Sequence, residues 1–303
     1  MVAPPAIQRL VTSSLEIAFE EQGPRDGPPV LLLHGFPDDA RAWDGTVERL
    51  TAAGCRCIVP YLRGYGPTRF LAGSTPRSGE EAALGADLLA LLDGLAIKRA
   101  ILAGYDWGGR AACIVSALWP ARARGLVSIG GYNIQRIARA GLPDTPAQEQ
   151  RFWYQWYFNT ERGRAGLAAH RYAFCRMLWH LWSPNWRFEE AAYRRTAASF
   201  DNPDFVEVVI HSYRHRYNNA PGDPAFAAIE RQLAEQPPIS VPAIVLHGAA
   251  DGVDPVEHSE HAALHFTGPY RREVVPVAGH FLPWEAPDAV VQAVLALRDE
   301  TGV

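Results

Sequence analysis

Short apolar runs alternate along the chain with longer stretches whose apolar residues recur every three or four positions. Seven runs read as strands, at residues 15–20, 29–33, 56–60, 100–103, 125–129, 243–247 and 273–277. Several are rich in Val, Ile and Leu without polar alternation, the pattern of a strand covered on both faces. Helical spacing fills residues 41–53, 79–95, 107–118, 256–265 and 286–298. This alternation predicts an α/β fold with a mostly parallel, doubly covered sheet.

Between Gly131 and Ser240 the rhythm breaks. The stretch is helical in pattern and aromatic, with Trp153, Trp156, Trp179, Trp182 and Trp186. Thr145-Pro146 marks a helix start, with Thr as N-cap and Pro in the first turn. Gly163 reads as a helix stop. The proline-rich run at 236–242 is a stiff, extended return to a strand. The expected organisation is a core of residues 1–132 and 238–303 with a helical cap, 133–237, inserted into it.

Composition narrows the classes without choosing among them. Hydrophobic residues make up 48% of the chain, charged residues 20%, and the formal net charge is −4 with no basic run. Nothing in this invites nucleic acid or an anionic membrane. The opening residues lack a charged segment followed by an apolar core, and no apolar stretch reaches the ~18–20 residues of a bilayer span. A cytoplasmic location is expected. Cys55, Cys57, Cys113 and Cys175 show no zinc spacing, and Cys55 and Cys57 share one strand face, so free buried thiols are expected.

Candidate chemistry sits at the strand ends. Residues 101–109, Ile-Leu-Ala-Gly-Tyr-Asp-Trp-Gly-Gly, end a buried strand and open a helix. A nucleophile on such a turn needs small neighbours so that strand and helix can pack closely, and Gly104, Gly108 and Gly109 supply them. The nucleophile position holds Asp106. A plain helix N-cap is the competing role for that residue. Upstream, His34-Gly35-Phe36-Pro37 also follows a buried strand. The amides of Phe36 and Trp107 are placed to form an oxyanion hole, Pro37 is suited to a cis peptide, and His34 reads as structural. Downstream, His280 is the one of ten histidines that follows the last strand, which makes it the general base. Asp251 is the preferred acid partner; Asp254, ahead of a proline, reads as a helix cap.

Together these motifs, with Arg63-Gly64-Tyr65-Gly66, resemble the α/β-hydrolase superfamily, in its epoxide hydrolase and haloalkane dehalogenase branch. The resemblance spans nearly the whole chain. It implies the α/β-hydrolase fold, an aspartate nucleophile, and no metal or organic cofactor. Tyr154-Gln155-Trp156-Tyr157-Phe158 is similar to the epoxide hydrolase stretch carrying one of two cap tyrosines that protonate the opening ring. Tyr213-Arg214 is similar to the pair carrying the other, with Tyr217 as an alternative. The implied reaction is hydrolysis of an apolar epoxide to a vicinal diol through an ester on Asp106, resolved by water that His280 activates. Aromatic core packing is the competing role for both tyrosines.

Three alternatives stand beside it. A haloalkane dehalogenase shares the triad, but Phe36 stands where that group carries a halide-binding Asn. A haloacid dehalogenase grips a carboxylate with two arginines after the nucleophile, and here only Arg110 is near in sequence. A non-catalytic relative binding a small apolar ligand would leave the filled catalytic positions without a purpose.

Overall fold

The computed structural model describes residues 6–302; residues 1–5, part of the opening stretch weighed for a leader, lie outside the described residues. The strands are β1 (Ile7–Val11), β2 (Leu15–Gln22), β3 (Pro29–Leu33), β4 (Arg56–Pro60), β5 (Arg69–Phe70), β6 (Ala100–Tyr105), β7 (Ala123–Ile129), β8 (Ala243–Gly248) and β9 (Tyr270–Val275). They form one sheet in the order β1-β2-β4-β3-β6-β7-β8-β9, with β5 beside β2. β1 and β2 run antiparallel, and β2 is antiparallel to β4; from β4 through β9 every pairing is parallel. The central strands β3, β6 and β8 are buried almost throughout, which is why their sequences show no polar alternation.

Helices α1 (Asp44–Ala52), α2 (Glu81–Gly94) and α3 (Asp106–Leu118) connect the early strands. After β7 the chain runs through α4 (Pro146–Arg151), α5 (Trp153–Phe158), α6 (Glu161–Trp182), α7 (Glu190–Ala197), α8 (Phe205–Arg216) and α9 (Ala227–Ala234) before returning as β8. The chain closes with α10 (Leu282–Glu285) and α11 (Pro287–Glu300).

The helical excursion is fastened to the strand-end loops by buried polar contacts. Trp179 Nε1 donates to the Pro37 carbonyl at 2.8 Å, Ser199 Oγ to Asp39 at 2.5 Å, and Asn202 Nδ2 to the Thr68 carbonyl at 2.7 Å. Satisfied contacts of this kind fix position, because leaving a buried polar group unpaired costs about 1–3 kcal/mol.

Most elements match the pattern read from the sequence, and the departures have local causes. β9 begins at Tyr270, three residues before the expected run, and ends at Val275. It is an edge strand with Arg271, Arg272 and Glu273 in it, so apolar content was a poor guide to its extent. The helix expected over 256–265 is two short 3₁₀ turns, Val256–Ser259 and Ala262–His265. Arg272 donates to the Val256 carbonyl at 2.7 Å and to Ser259 Oγ at 2.8 Å, taking the carbonyl that a longer helix would use. Asp254 therefore caps no helix and instead meets His258 Nδ1 at 2.6 Å.

Gly163 does not end a helix either. It lies in the first turn of α6, where its amide donates to the Thr160 N-cap at 2.9 Å, and a Cβ there would stand 1.8 Å from the Tyr157 carbonyl oxygen. Thr145 is the expected N-cap of α4. Ile7–Val11 escaped notice because it is short and largely exposed. The four cysteines are free and buried.

Candidate active site

The β6–α3 turn sets the geometry. Asp106 takes φ 48°, a left-handed conformation that costs a non-glycine residue about 1–3 kcal/mol. Its neighbours make that turn possible by having no side chain. A Cβ on Gly104 would lie 2.4 Å from the Gly108 carbonyl oxygen, and one on Gly108 would lie 2.2 Å from that of Leu33. The strain lifts the carboxylate off the sheet toward the β3 loop. There the Phe36 amide donates to Asp106 Oδ1 at 2.8 Å, and the Phe36-Pro37 peptide is cis. Among the described residues the Trp107 amide makes no hydrogen bond to Asp106, so only the Phe36 half of the expected amide pair is engaged.

His34 is structural in its contacts. Its Nδ1 faces the Gly35 carbonyl at 3.1 Å, and its Nε2 accepts the Leu62 amide at 3.1 Å. Burial pushes its pKa down to about 4, so the ring is neutral at ordinary pH. Arg63 is structural too, forming a bidentate pair with Asp87 at 2.7 Å for both bonds.

The loop after β8 presents Asp251. Its Oδ1 accepts the amides of Val253 and Asp254 at 2.9 and 2.8 Å, and its Oδ2 faces His280 Nδ1 at 2.8 Å. Burial opposes the charged imidazole, but the Asp251 charge and hydrogen bond, helped by Asp106, hold His280 at about 9. His280 Nε2 is buried and has no partner among the described residues. Asp106, Asp251 and His280 line one chamber of about 160 Å³.

Several supports of this triad gave no signal in the sequence. The Trp182 carbonyl, at the end of α6, accepts the amides of both Gly252 (2.9 Å) and His280 (3.1 Å). Glu285 accepts the Gly279 amide at 2.9 Å and the Ser183 hydroxyl at 2.6 Å, and Ser183 Oγ accepts the Phe281 amide at 3.1 Å. Asp38 accepts from Tyr105 Oη at 2.6 Å and Trp284 Nε1 at 2.8 Å, steadying the residue before Asp106.

Tyr154 also lines the chamber. Its oxygen accepts Gln155 Nε2 at 2.9 Å. Gln155 is oriented from its other end, where Oε1 accepts Arg216 at 2.9 Å and the Tyr217 hydroxyl at 2.8 Å. The Tyr154 proton is thereby left to point elsewhere, while the Tyr217 proton is already committed. Tyr213 is fully buried against Tyr154, with ring centroids 5.3 Å apart, and its hydroxyl has no partner among the described residues. Burial raises the pKa of both tyrosines, so both are protonated.

The chamber is less apolar than the aromatic cap sequence suggested. Arg110 and Arg216 share its wall with Asp254 and the triad. It adjoins an outer vestibule of about 500 Å³, and the two share Phe152, Gln155 and Arg216.

Comparison with known proteins places the whole chain among relatives of one fold. The family model described as alpha/beta hydrolase fold matches residues 28–287. A Klebsiella pneumoniae protein provisionally assigned as an epoxide hydrolase has a crystal structure 45% identical to this chain, with a TM-score of 0.94 and 97% of each chain covered. Epoxide hydrolase A of Mycobacterium tuberculosis is 28% identical over 95% of this chain and 96% of its own length. Epoxide Hydrolase A from Mycobacterium thermoresistibile is 25% identical with a TM-score of 0.76, over 97% of this chain and 98% of that one. With the family model matching most of the chain and relatives similar over their whole length, the chain belongs to the α/β hydrolase fold family, as an enzyme of the branch that holds these epoxide hydrolases.

Proposed function

We propose that the protein hydrolyses an epoxide to a vicinal diol in two steps, with Asp106 as nucleophile. The observation that carries this reading is the Gln155 bridge, which leaves a protonated Tyr154 hydroxyl facing the chamber that Asp106 enters. The Phe36 amide holds Oδ1, so Oδ2 is the attacking oxygen. A new C–O bond forms to Asp106 as the ring C–O bond breaks, and Tyr154, with Tyr213 beside it, supplies a proton to the departing oxygen.

Ester formation removes the negative charge of Asp106, and with it one of the influences that keep His280 protonated. The imidazole then loses its proton more readily; that proton restores the Tyr154 hydroxyl, and the neutral ring takes another from water at its free Nε2. Hydroxide adds to the ester carbonyl carbon and the Phe36 and Trp107 amides stabilise the oxyanion; the bond to the substrate oxygen then breaks, that oxygen takes the proton of the added hydroxyl, and the diol departs from a restored Asp106 carboxylate. Asp251 keeps the ring oriented. In this reading residues 133–237 act as the cap over a core of residues 1–132 and 238–303.

A second reading has support from one observation. Arg216 brings a second guanidinium to the chamber beside Arg110, which is the clamp a haloacid dehalogenase needs and which the residues around Asp106 did not offer. Incubation with styrene-type epoxides, bromoalkanes and fluoroacetate separates the two. Diol without halide is the expected result; halide release without diol would replace epoxide hydrolysis with dehalogenation on the same Asp106 and His280.

A further inference from the structure

Outside the chamber, three side chains able to ligate a metal converge where the start of α2 meets α8 and α9. Glu80, the N-cap of α2, His215 of α8 and Glu230 of α9 bring one ligand atom each within 4.8 Å of one another. The Glu80 side chain is fully buried and held from one side, where Oε1 accepts the Ser78 hydroxyl and the Asp223 amide, both at 2.9 Å. This hold aims Oε2 at the cluster, where it has no hydrogen-bond donor among the described residues. His215 Nε2 stands 3.3 Å from that oxygen. Glu230 adds a second carboxylate, with Oε1 taken by the Ala82 amide at 3.2 Å.

The charge of this cluster is unbalanced. Among the described residues no Lys or Arg pairs with Glu80 or Glu230. His211, stacked on His215 with ring centroids 5.7 Å apart, is committed at both nitrogens. Its Nδ1 accepts the Gly79 amide and its Nε2 donates to the Pro221 carbonyl, both at 3.0 Å, so the ring is neutral. The N-terminus of α2 offsets part of the Glu80 charge, yet gives Oε2 no amide. A buried carboxylate oxygen without a partner is costly, and a second carboxylate beside it adds repulsion. The chain also keeps the place beside these atoms clear of side chains. A Cβ on Gly222 would lie 2.4 Å from Glu80 Oε2 and 3.0 Å from His215 Nε2.

We propose that Glu80, His215 and Glu230 bind a divalent transition ion of the zinc class. One imidazole with two carboxylates suits zinc, whereas calcium and magnesium prefer oxygen ligands alone. Two ligands ~2.0–2.1 Å from one tetrahedral ion stand about 3.3 Å apart, the spacing that Glu80 and His215 already have. Glu230 joins the same centre by a small side-chain rotation. Water from a cavity of about 230 Å³, lined by His215 and Glu230, completes the four ligands. The ion ties α2 to α8 and α9 and takes no part in the chemistry at Asp106. Arg216, next to His215, bonds Gln155 behind Tyr154, so this brace supports the chamber wall from outside.

The test strips the purified protein with a chelator and titrates it by calorimetry with zinc, manganese and calcium chlorides. One equivalent of zinc is expected to bind, more tightly than manganese and far more tightly than calcium. Losing even an outer partner of a metal ligand costs about 10–100-fold in affinity, so Glu230→Gln and His215→Gln should each weaken zinc at least that much. Anomalous scattering from zinc-soaked wild-type crystals needs no variant to fold, and its peak is expected between Glu80 Oε2 and His215 Nε2. Zinc that binds both variants as tightly as wild type, or a peak at other histidines alone, overturns the proposal. So does the lack of any zinc binding, or calcium bound in preference to zinc, which leaves His215 without a purpose. Turnover is not the readout, so failure here leaves the reading of Asp106 untouched.

Discussion

Gly35 and Asp106 are packed so closely that the first can carry no side chain while the second keeps its place. A Cβ on Gly35 would stand 2.5 Å from Asp106 Cβ and 2.7 Å from its Oδ1. The two residues come from different strand ends, and this contact seats the carboxylate against the Phe36 amide. Gly35→Ala should displace the carboxylate, lowering kcat by about a hundredfold or more while costing about 1–3 kcal/mol of stability. Steady-state kinetics and thermal unfolding of the variant check both effects; unchanged kcat would show that the Phe36–Asp106 contact does not matter for turnover.

Asp106→Asn should abolish turnover in freshly prepared protein, and His280→Gln should halt the reaction after the first step. Intact-protein mass spectrometry of the His280 variant with substrate is expected to show the mass of the substrate added to the chain. An unmodified mass, with a substrate that the wild type consumes, would count against the ester.

Tyr154→Phe should slow ring opening by about 10²–10⁴-fold if its hydroxyl delivers the proton, and Tyr213→Phe by less, because Tyr213 packs behind Tyr154 and does not line the chamber. Tyr217→Phe acts only through Gln155 and should cost less still. Single-turnover rates of ester formation rank the three. A Tyr217 effect as large as that of Tyr154 would make it the second donor.

His280 links activity and stability to pH. Its folded value of about 9 lies above the ordinary 6.5. The stabilisation is therefore complete below pH 6.5 and is lost as pH rises through 9, in all on the order of 3 kcal/mol. The stability advantage of wild type over His280→Gln, measured by denaturant unfolding, should be largest near pH 6 and shrink toward pH 9 or above. In rapid-quench kinetics, ester hydrolysis should accelerate with rising pH and level off below about 9, since the ester no longer carries the Asp106 charge. A hydrolysis rate that falls over this range would rule out neutral His280 as the base.

The candidate triad was legible because it sits where strands end. Buried strands announce themselves by composition, and Asp106 and Asp251 follow two of them within a few residues, while His280 comes five residues after the edge strand β9. The elbow was readable for a second reason: its glycines are required by contacts of 2.2–2.4 Å that no other residue could survive. What stayed hidden depends on long-range meeting. Gln155, Trp182 and Arg216 lie far from the triad in sequence and act through one side-chain amide, one carbonyl and one guanidinium, none of which leaves a spacing to notice. Arg216 joins Arg110 at the chamber from α8, not from the residues after Asp106, so their meeting leaves no local pattern. Likewise, Arg272 and Ser259 both bond the Val256 carbonyl, a meeting across the fold that an apparently helical stretch at 256–265 does not announce.

The Trp182 carbonyl, shared by Gly252 and His280, has a mechanical consequence. The far end of α6 is tied to the acid loop and the base loop together, so neither can drift without the other. Within the same helix the backbone departs from helical values at His170 (φ −132°, ψ 24°). α5, the helix carrying Tyr154, packs on both sides of this break: Gly163 and Gly166 before it lie against Tyr157, and Phe174 and Trp182 after it lie against Phe158 and Tyr154. Trp182 thus joins the two sides of the chamber: its ring lies 5.0 Å from that of Tyr154 while its carbonyl holds the loops of Asp251 and His280, so a shift of α5 would be felt at the acid and the base together.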